Sequence, residues 1–522
     1  MRLARPAAVL TTLSVALLTA CSAPSGPAGP GGAQKADDTF VIGLSSEFEN
    51  LSPVLGYAAD GGSLIFDGLM SRAPDLSLKP SLAAEAPVTS ADGKKVTFKL
   101  RDGVTFHDGR PLTSKDVVYT YTTVLDPKTS SPISGDYAAI GKVSAPDART
   151  VEFTLKYPYA PLTQRTTLGI VPDGGVDPAK PVGTGPYTFT QWTPGDKIVL
   201  AANEKYWGGA PAIKKVVVAF APDDNVRSTR LAAGEFDATV LPPKAAKRFE
   251  GQQGVTVYKQ DSADYRGIMF PSKPEVTGDL AIRKAFSLAM DRQAMVDTIL
   301  AGAGKPAFGP ISPDISWHNK AITGNPAADL PQAQQVLDAA GWKQGAGGIR
   351  EKDGVKASFT IMYPAGDSLR KELTLAAASD AKKAGIEVKA AGLDWDAIEP
   401  RMAQDALMMG YGSPYDLDYI NYDLFHSAQA GKGFFNPGHY SNPKADAALV
   451  KGRESGDPAV RKQAYDEFQQ LIHDDAVWTY LAFLKHVYVV RGAYQGVQQS
   501  VDAHEHATGG LFRDIHTWKP AS

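Results

Sequence analysis

Cysteine is almost missing from this chain: Cys21 is the only one in 522 residues. With nothing to pair it, the body holds no internal disulfide, no cysteine-bound metal cluster and no cysteine nucleophile. Long apolar runs are equally scarce, and beyond the N-terminal segment none is long enough to span a bilayer. Neither sign of charge is in excess. The formal net charge is −3, from 54 basic and 57 acidic side chains, which leaves no electrostatic footprint for nucleic acid or an anionic membrane surface. Motifs of hydrolytic chemistry are absent too. There is no convincing Gly-x-Ser-x-Gly, His-Glu-x-x-His or Ser-x-x-Lys set and no glycine-rich phosphate loop, and no spacing singles out a carboxylate pair. An enzyme is therefore the weaker reading, and neither a cofactor nor a metal site is expected. No repeat of solenoid period is visible.

What is present begins at the N-terminus. Arg2 and Arg5 form a short basic head, and Ala7 to Leu18 form an apolar run too short to span a membrane comfortably. Small residues then lead into Cys21. A basic head, a short apolar core and a small-residue exit describe an export signal that is removed. Leu18-Thr19-Ala20-Cys21 also resembles the bacterial lipobox, which implies cleavage before Cys21 and attachment of lipid to it. Residues 22–38 are rich in Ser, Ala, Pro and Gly and lack large apolar groups. They cannot bury enough surface to offset their ordering entropy and read as a flexible tether. The expected location is the extracytoplasmic face of a bacterial cell membrane, held there by lipid alone.

The body, roughly 480 residues, exceeds the usual single-domain size, so two or three domains are expected. Short strand-like runs recur at Thr39–Leu44, Val96–Leu100, Thr150–Leu155, Ile198–Ala202, Lys215–Phe220, Val255–Lys259, Ser358–Tyr363 and Val487–Val490. Helical periodicity lies between them. Asp279 to Leu300 places Ile282, Phe286, Ala289, Met290, Met295 and Ile299 on one broad face. Leu330 to Ala340 has Pro331 just inside its start and stops at Gly341. Leu369 to Lys383 and Pro458 to Ile472 are further candidates. Alternating strands and helices predict α/β lobes.

Several blocks, taken in order, resemble the bacterial extracellular solute-binding proteins of family 5, which serve peptide and nickel importers of the ATP-binding-cassette type. They are Pro80–Ala83, Ser90–Lys94, Thr97–Thr120, Val182–Tyr187, Asn203–Trp207, Pro222–Asp224, Gly234–Asp237, Ala281–Phe286 and Asn436–Pro443. The resemblance implies a two-lobed periplasmic-binding-protein fold of type II, in the large cluster with an extra N-terminal domain. Lobe I would run over 39–268, with an inserted subdomain at about 76–180, and lobe II over 269–485, with 486–522 returning to lobe I. Two hinge crossings would fall near Asp264–Met269 and Leu484–Tyr488. The implied function is capture of di- or oligopeptides by closure and delivery to a permease and ATPase complex, the binding protein itself being a monomer. Binding of a nickel chelate or metallophore is the alternative within the family; a secreted hydrolase or a sensor lipoprotein stands outside it.

One stretch looks less like scaffold than the rest. The run from Tyr411 to Tyr419 joins aromatic rings, carboxylates and turn-formers after the apolar run Ala406–Met409, a good way to present groups to a crevice. By resemblance this loop touches the ligand. Peptide binders carry an acid three positions before an Asp-Pro step; here Asp416-Leu417 replaces that step and the amine-holding position falls on Ser413, with Asp416 or Asp418 as substitutes. The nickel-binding branch makes Tyr411 and Tyr415 the walls, but it also uses a basic residue where Leu168 stands here. Ser45 and Glu47 follow the first strand, a position that faces the crevice in open α/β sheets. Trp395 could stack on a ligand and Arg370 pair with a carboxylate. His107 reads as a hydrogen-bonding turn residue, Asp116 as a helix-dipole partner, Tyr206 and Trp207 as packing, and His426 as a helix-end residue.

Overall fold

The computed structural model describes residues 38–175, 177, 179–504 and 509–521. The export signal, Cys21 and residues 22–37 of the expected tether lie outside them. Among the described residues no helix is long and apolar enough to cross a membrane.

Alternation of apolar and polar residues builds the strands as read. Val216 and Val218 of Lys215–Phe220 are buried while Val217 between them is half-buried. Strands join into one mixed sheet of 11. At one end Thr39–Leu44 pairs in parallel with Lys215–Phe220 and Ala238–Val240. At the other, Ser358–Pro364 pairs in parallel with Glu387–Leu393 and Ala406–Tyr411. Helices Asp224–Ala232 and Ser368–Lys383 supply the crossovers, the usual covering of a parallel sheet. Between the two ends run Val255–Met269 and Trp478–Arg491, paired antiparallel along almost their whole length.

These two strands are far longer than the sequence suggested. The pattern ends one strand at Lys259, before a polar run, and confines the other to Val487–Val490. The polar run continues the strand because its side chains satisfy one another. The register breaks between Asp261 and Tyr265, and around that break Asp264 and Asp502, both buried, gather Arg266, His486, His504, Gln260 and Tyr488. A second departure is the helix expected over Asp279 to Leu300. It is two helices, Leu280–Ala289 and Arg292–Thr298. Met290 turns extended, and Asp291 starts the second helix by accepting from the Ala294 N–H at 2.9 Å, so a local cap outweighs the continuous apolar face.

A separate antiparallel sheet orders Val88–Thr89, Lys95–Lys99, Thr150–Leu155 and Ile140–Asp147. Helix Ser114–Leu125 packs on it through Val117, Tyr121 and Val124, with Tyr121 edge-on to Phe153 at 4.9 Å. Asp116 closes a capping box: its carboxylate accepts from the Thr113 N–H at 2.7 Å. It also accepts from the Asp173 N–H at 2.7 Å. This unit has its own apolar cluster. His107 bridges turns, its Nε2 3.0 Å from the Gly185 carbonyl, while Tyr206 and Trp207 both donate to the buried carboxylate of Asp67, at 3.1 and 2.9 Å.

Candidate functional site

Parallel strands end together, so the loops after them collect on one side, and in open α/β sheets that side is where ligands sit. Here the carboxyl ends of two parallel sets face each other. Ser45 and Asp224 follow strands of the first set; Arg370, Trp395 and Tyr411 follow strands of the second or end one. The two sets touch where Ser368 donates to Asp224 at 3.2 Å and where Lys244 pairs with Glu372.

On the second side an aromatic wall forms from residues that the sequence named separately. The Trp395 ring, 42% exposed, meets Phe434 edge-on at 5.2 Å. The Tyr411 hydroxyl donates to the Phe434 carbonyl at 3.4 Å. Phe434, which links them, carried no signal in the sequence beyond being aromatic in a glycine-rich stretch.

Behind this wall lie two guanidinium groups. Arg370, in the first turn of helix Ser368–Lys383, is tied to Asp367 through Nη1. Arg266, in the long strand, reaches across Gly410, where a Cβ would meet its Nη1 at 2.2 Å, and pairs with Asp264. The Nε of each finds no hydrogen-bond partner among the described residues. Burial, and next the guanidinium of Arg266, holds Arg370 below its ordinary pKa. Burial raises the Tyr411 phenol. Two buried cations behind an aromatic wall make this side of the cleft suited to an anionic group, carboxylate above all. Arg266 escaped the sequence reading because it sits in the polar run that looked like a loop.

The loop itself is held from several directions. Gly412 has φ +146° and a Cβ there would meet the Ala263 carbonyl at 1.9 Å, so only glycine lets the loop leave the strand this closely. Ser413 Oγ accepts from the Tyr415 N–H at 3.3 Å. Tyr415 is buried, with the Arg72 guanidinium 3.4 Å from its ring centroid and Arg513 donating to its hydroxyl at 3.2 Å. Asp416 accepts from Arg461 at 2.7 Å. Asp418, with no side-chain exposure, pairs with Arg453 at 3.0 Å and accepts from Tyr159 at 2.8 Å. Tyr411 and Trp395 thus share one wall beside Arg370, whereas Tyr415, Asp416 and Asp418 are packed among internal partners. Ser45 is exposed at the opposite rim. Glu47 is engaged locally, accepting from Trp192 Nε1 at 2.7 Å and from the Gly195 N–H. His426 ends the helix Asp418–Phe425, and its Nδ1 accepts from the Ala428 N–H at 3.1 Å.

Comparison with known proteins fits this geometry. Residues 77–433 match the family described as bacterial extracellular solute-binding proteins, family 5 Middle. The chain belongs to that family. Within it, Protein XP55 of Streptomyces lividans is 50% identical over 493 residues, 93% of this chain and 90% of the relative. The oligopeptide-binding protein AppA of Bacillus subtilis is 30% identical over 465 residues, 85% of either chain. Its structure with a nonapeptide superposes with a TM-score of 0.79 at 28% identity, over 93% of this chain and 99% of that one. NikZ of Campylobacter jejuni, solved with Ni(L-His), superposes with a TM-score of 0.86 at 27% identity, over 93% and 100%. The fold is therefore the two-lobed periplasmic-binding-protein fold of type II, as the resemblance in sequence implied. Family 5 proteins serve importers and bind small solutes such as peptides or nickel chelates.

Proposed function

We propose that this chain is the substrate-binding lipoprotein of an ATP-binding-cassette importer that captures di- or oligopeptides and passes them unchanged to the permease and its ATPase. Lipid on Cys21 holds it at the membrane, and residues 22–38 tether the body. Lobe I takes residues 39–268 with the smaller sheet as its insertion, and lobe II takes 269–485, with 486–522 returning. The hinge is the register break opposite Phe483–Lys485, where two paired strands bend without losing their neighbours.

The observation that carries the peptide reading is the pair of guanidinium groups, Arg370 and Arg266, beside Tyr411 and Trp395. It suits a terminal carboxylate, with side chains lying on the aromatic wall. Asp416 and Asp418 being held internally, the amine end falls to Ser413 and backbone groups. AppA, with its nonapeptide, is a relative over nearly the whole chain. A nickel chelate is the second reading, favoured by the likeness to NikZ, since a chelator's carboxylates suit the same guanidinium groups.

Calorimetric titration with di- to nonapeptides, each with a free and an amidated C-terminus, tests this. Amidation and Arg370→Gln should each weaken binding about ten- to hundredfold, the worth of a hydrogen-bonded charge. Equal affinity for free and amidated peptides would remove the carboxylate from the account.

A further inference from the structure

Tyr159 and Arg165 lie in a turn of the smaller sheet's unit, at the start and end of the short helix Ala160–Arg165. Both are buried; Tyr159 belongs to that unit's apolar cluster, and its hydroxyl reaches out of it toward lobe II. The Tyr159 hydroxyl donates to Asp418 at 2.8 Å and accepts from Arg165 Nε at 3.1 Å. Arg165 pairs with Asp136 at 2.8 Å, approaches Asp418 at 3.8 Å, and lies over the Tyr419 ring at 4.3 Å. Tyr419 in turn donates to Asp60. From the lobe II side, Arg453 pairs with Asp418 and stacks on Tyr422 at 3.5 Å. Burial disfavours the charge on Arg165, but Asp136 and Tyr159 outweigh it and keep the guanidinium charged.

The backbone at this point is distorted. Within Asp418–Phe425, Tyr419 is extended (φ −60°, ψ 118°) and Ile420 has φ 71°, ψ −45°. A β-branched residue in that region is an outlier of the γ-turn kind. Such strain persists only where surrounding contacts impose it. The contacts that do so pull Tyr419 toward Arg165 and Asp60. The Asp418–Tyr419 segment leads directly back to Tyr411 and Ser413 in the cleft.

We propose that Tyr159 and Arg165 are positioning residues of a cross-lobe latch. They hold Asp418 and Tyr419 in the strained turn and set the fraction of closed molecules before any solute binds. Opening the lobes breaks the Tyr159–Asp418 and Tyr419–Asp60 contacts together. Residues 418–425 then relax toward a regular helix, and the turn re-forms on closure. The inserted unit is thereby a working part of closure, whichever solute the cleft takes.

The test is the interlobe distance in the mature chain without added solute. Spin labels go at Lys128→Cys and Lys451→Cys, both exposed positions, with Cys21→Ser to leave two thiols. Tyr159→Phe and Asp60→Asn should each move the closed-to-open ratio about tenfold toward longer distances. Ile420→Gly, which removes the strain of the turn and weakens the relaxed helix, should move it toward shorter ones. A merely structural role would lower the unfolding midpoint and leave the distances in place. Unchanged distributions in all three variants, or a shift of Ile420→Gly toward longer distances, would overturn the latch. Because no ligand enters the measurement, its failure leaves the peptide reading untouched.

Discussion

Two buried polar clusters tie this molecule together, and they differ in what motion does to them. The first surrounds the register break: Asp264 and Asp502 with Arg266, His486, Gln260 and Tyr488. Its members sit on Val255–Met269, on Trp478–Arg491, or on the 502–504 segment. That segment is bonded to the strands by Ala263 N–H donating to the Asp502 carbonyl at 2.7 Å. The second joins Asp418 and Arg453 of lobe II to Tyr159 and Arg165, 259 residues from Asp418 in the case of Tyr159, with no strand pairing between them. Both clusters need their partners, because a buried charge left alone is costly. Only the second can lose them by a rigid-body movement. The first therefore sets how stable the fold is, and the second sets which state the fold occupies.

The sharpest way to break that comparison is Asp264→Ala. It leaves the Arg266 guanidinium and the His486 imidazolium buried without their shared carboxylate. The expected cost is about 3–5 kcal/mol, read as a lower midpoint in urea; a midpoint close to wild type would mean that the cluster does not hold the crossing together. Gly412→Ala should cost less, about 1–3 kcal/mol of backbone strain, and should weaken solute binding because the cleft loop cannot leave the strand. Tyr159→Phe should cost about 1.4 kcal/mol of closed-state preference, a tenfold population change, with the urea midpoint nearly in place. A midpoint drop as large as that of Asp264→Ala would erase the distinction between the clusters.

A pH slope probes the first cluster a second way. Burial opposes charge on His486, but the hydrogen bonds it donates to Asp264 and Asp502 overcome it and push the imidazole up to about 10. The folded state thus keeps a proton that the unfolded chain releases near its ordinary value of about 6.5. The stabilisation is complete below that ordinary value and is lost as pH rises toward 10. Stability should fall by at most about 1.4 kcal/mol per pH unit across that window. His486→Asn should flatten the slope; an unchanged slope would place the titration elsewhere.

Much of this was legible in the sequence where side chains alternate. Thr39–Leu44, Thr150–Leu155 and Lys215–Phe220 have the bounds their pattern suggests, since half-buried strands write their faces into period two. The crossing strands were not legible. Gln260 to Asp264 look solvated, yet all but the half-buried Asp261 are buried because their partners arrive from residues 484 to 504. Trp478 to Leu484 is apolar but for Thr479, which does not distinguish a strand from a buried helix. The cleft shows the same divide. Tyr411, Trp395 and Arg370 were visible as residue types after strands. The partners of Asp416 and Asp418 were not, because Arg461 and Arg453 lie 45 and 35 residues further on. The broken helix at Met290 failed for a local reason, an Asp291 cap inside an apolar stripe.

Native mass spectrometry of the protein purified gently from its own host, followed by denaturing release of what it carries, meets the central claim most directly. The account predicts a spread of short peptide masses from the wild-type chain and their loss from Arg370→Gln. A single non-peptide species, above all one with a metal isotope pattern, would contradict it and turn the two arginines and the Tyr411–Trp395 wall into the seat of a chelate.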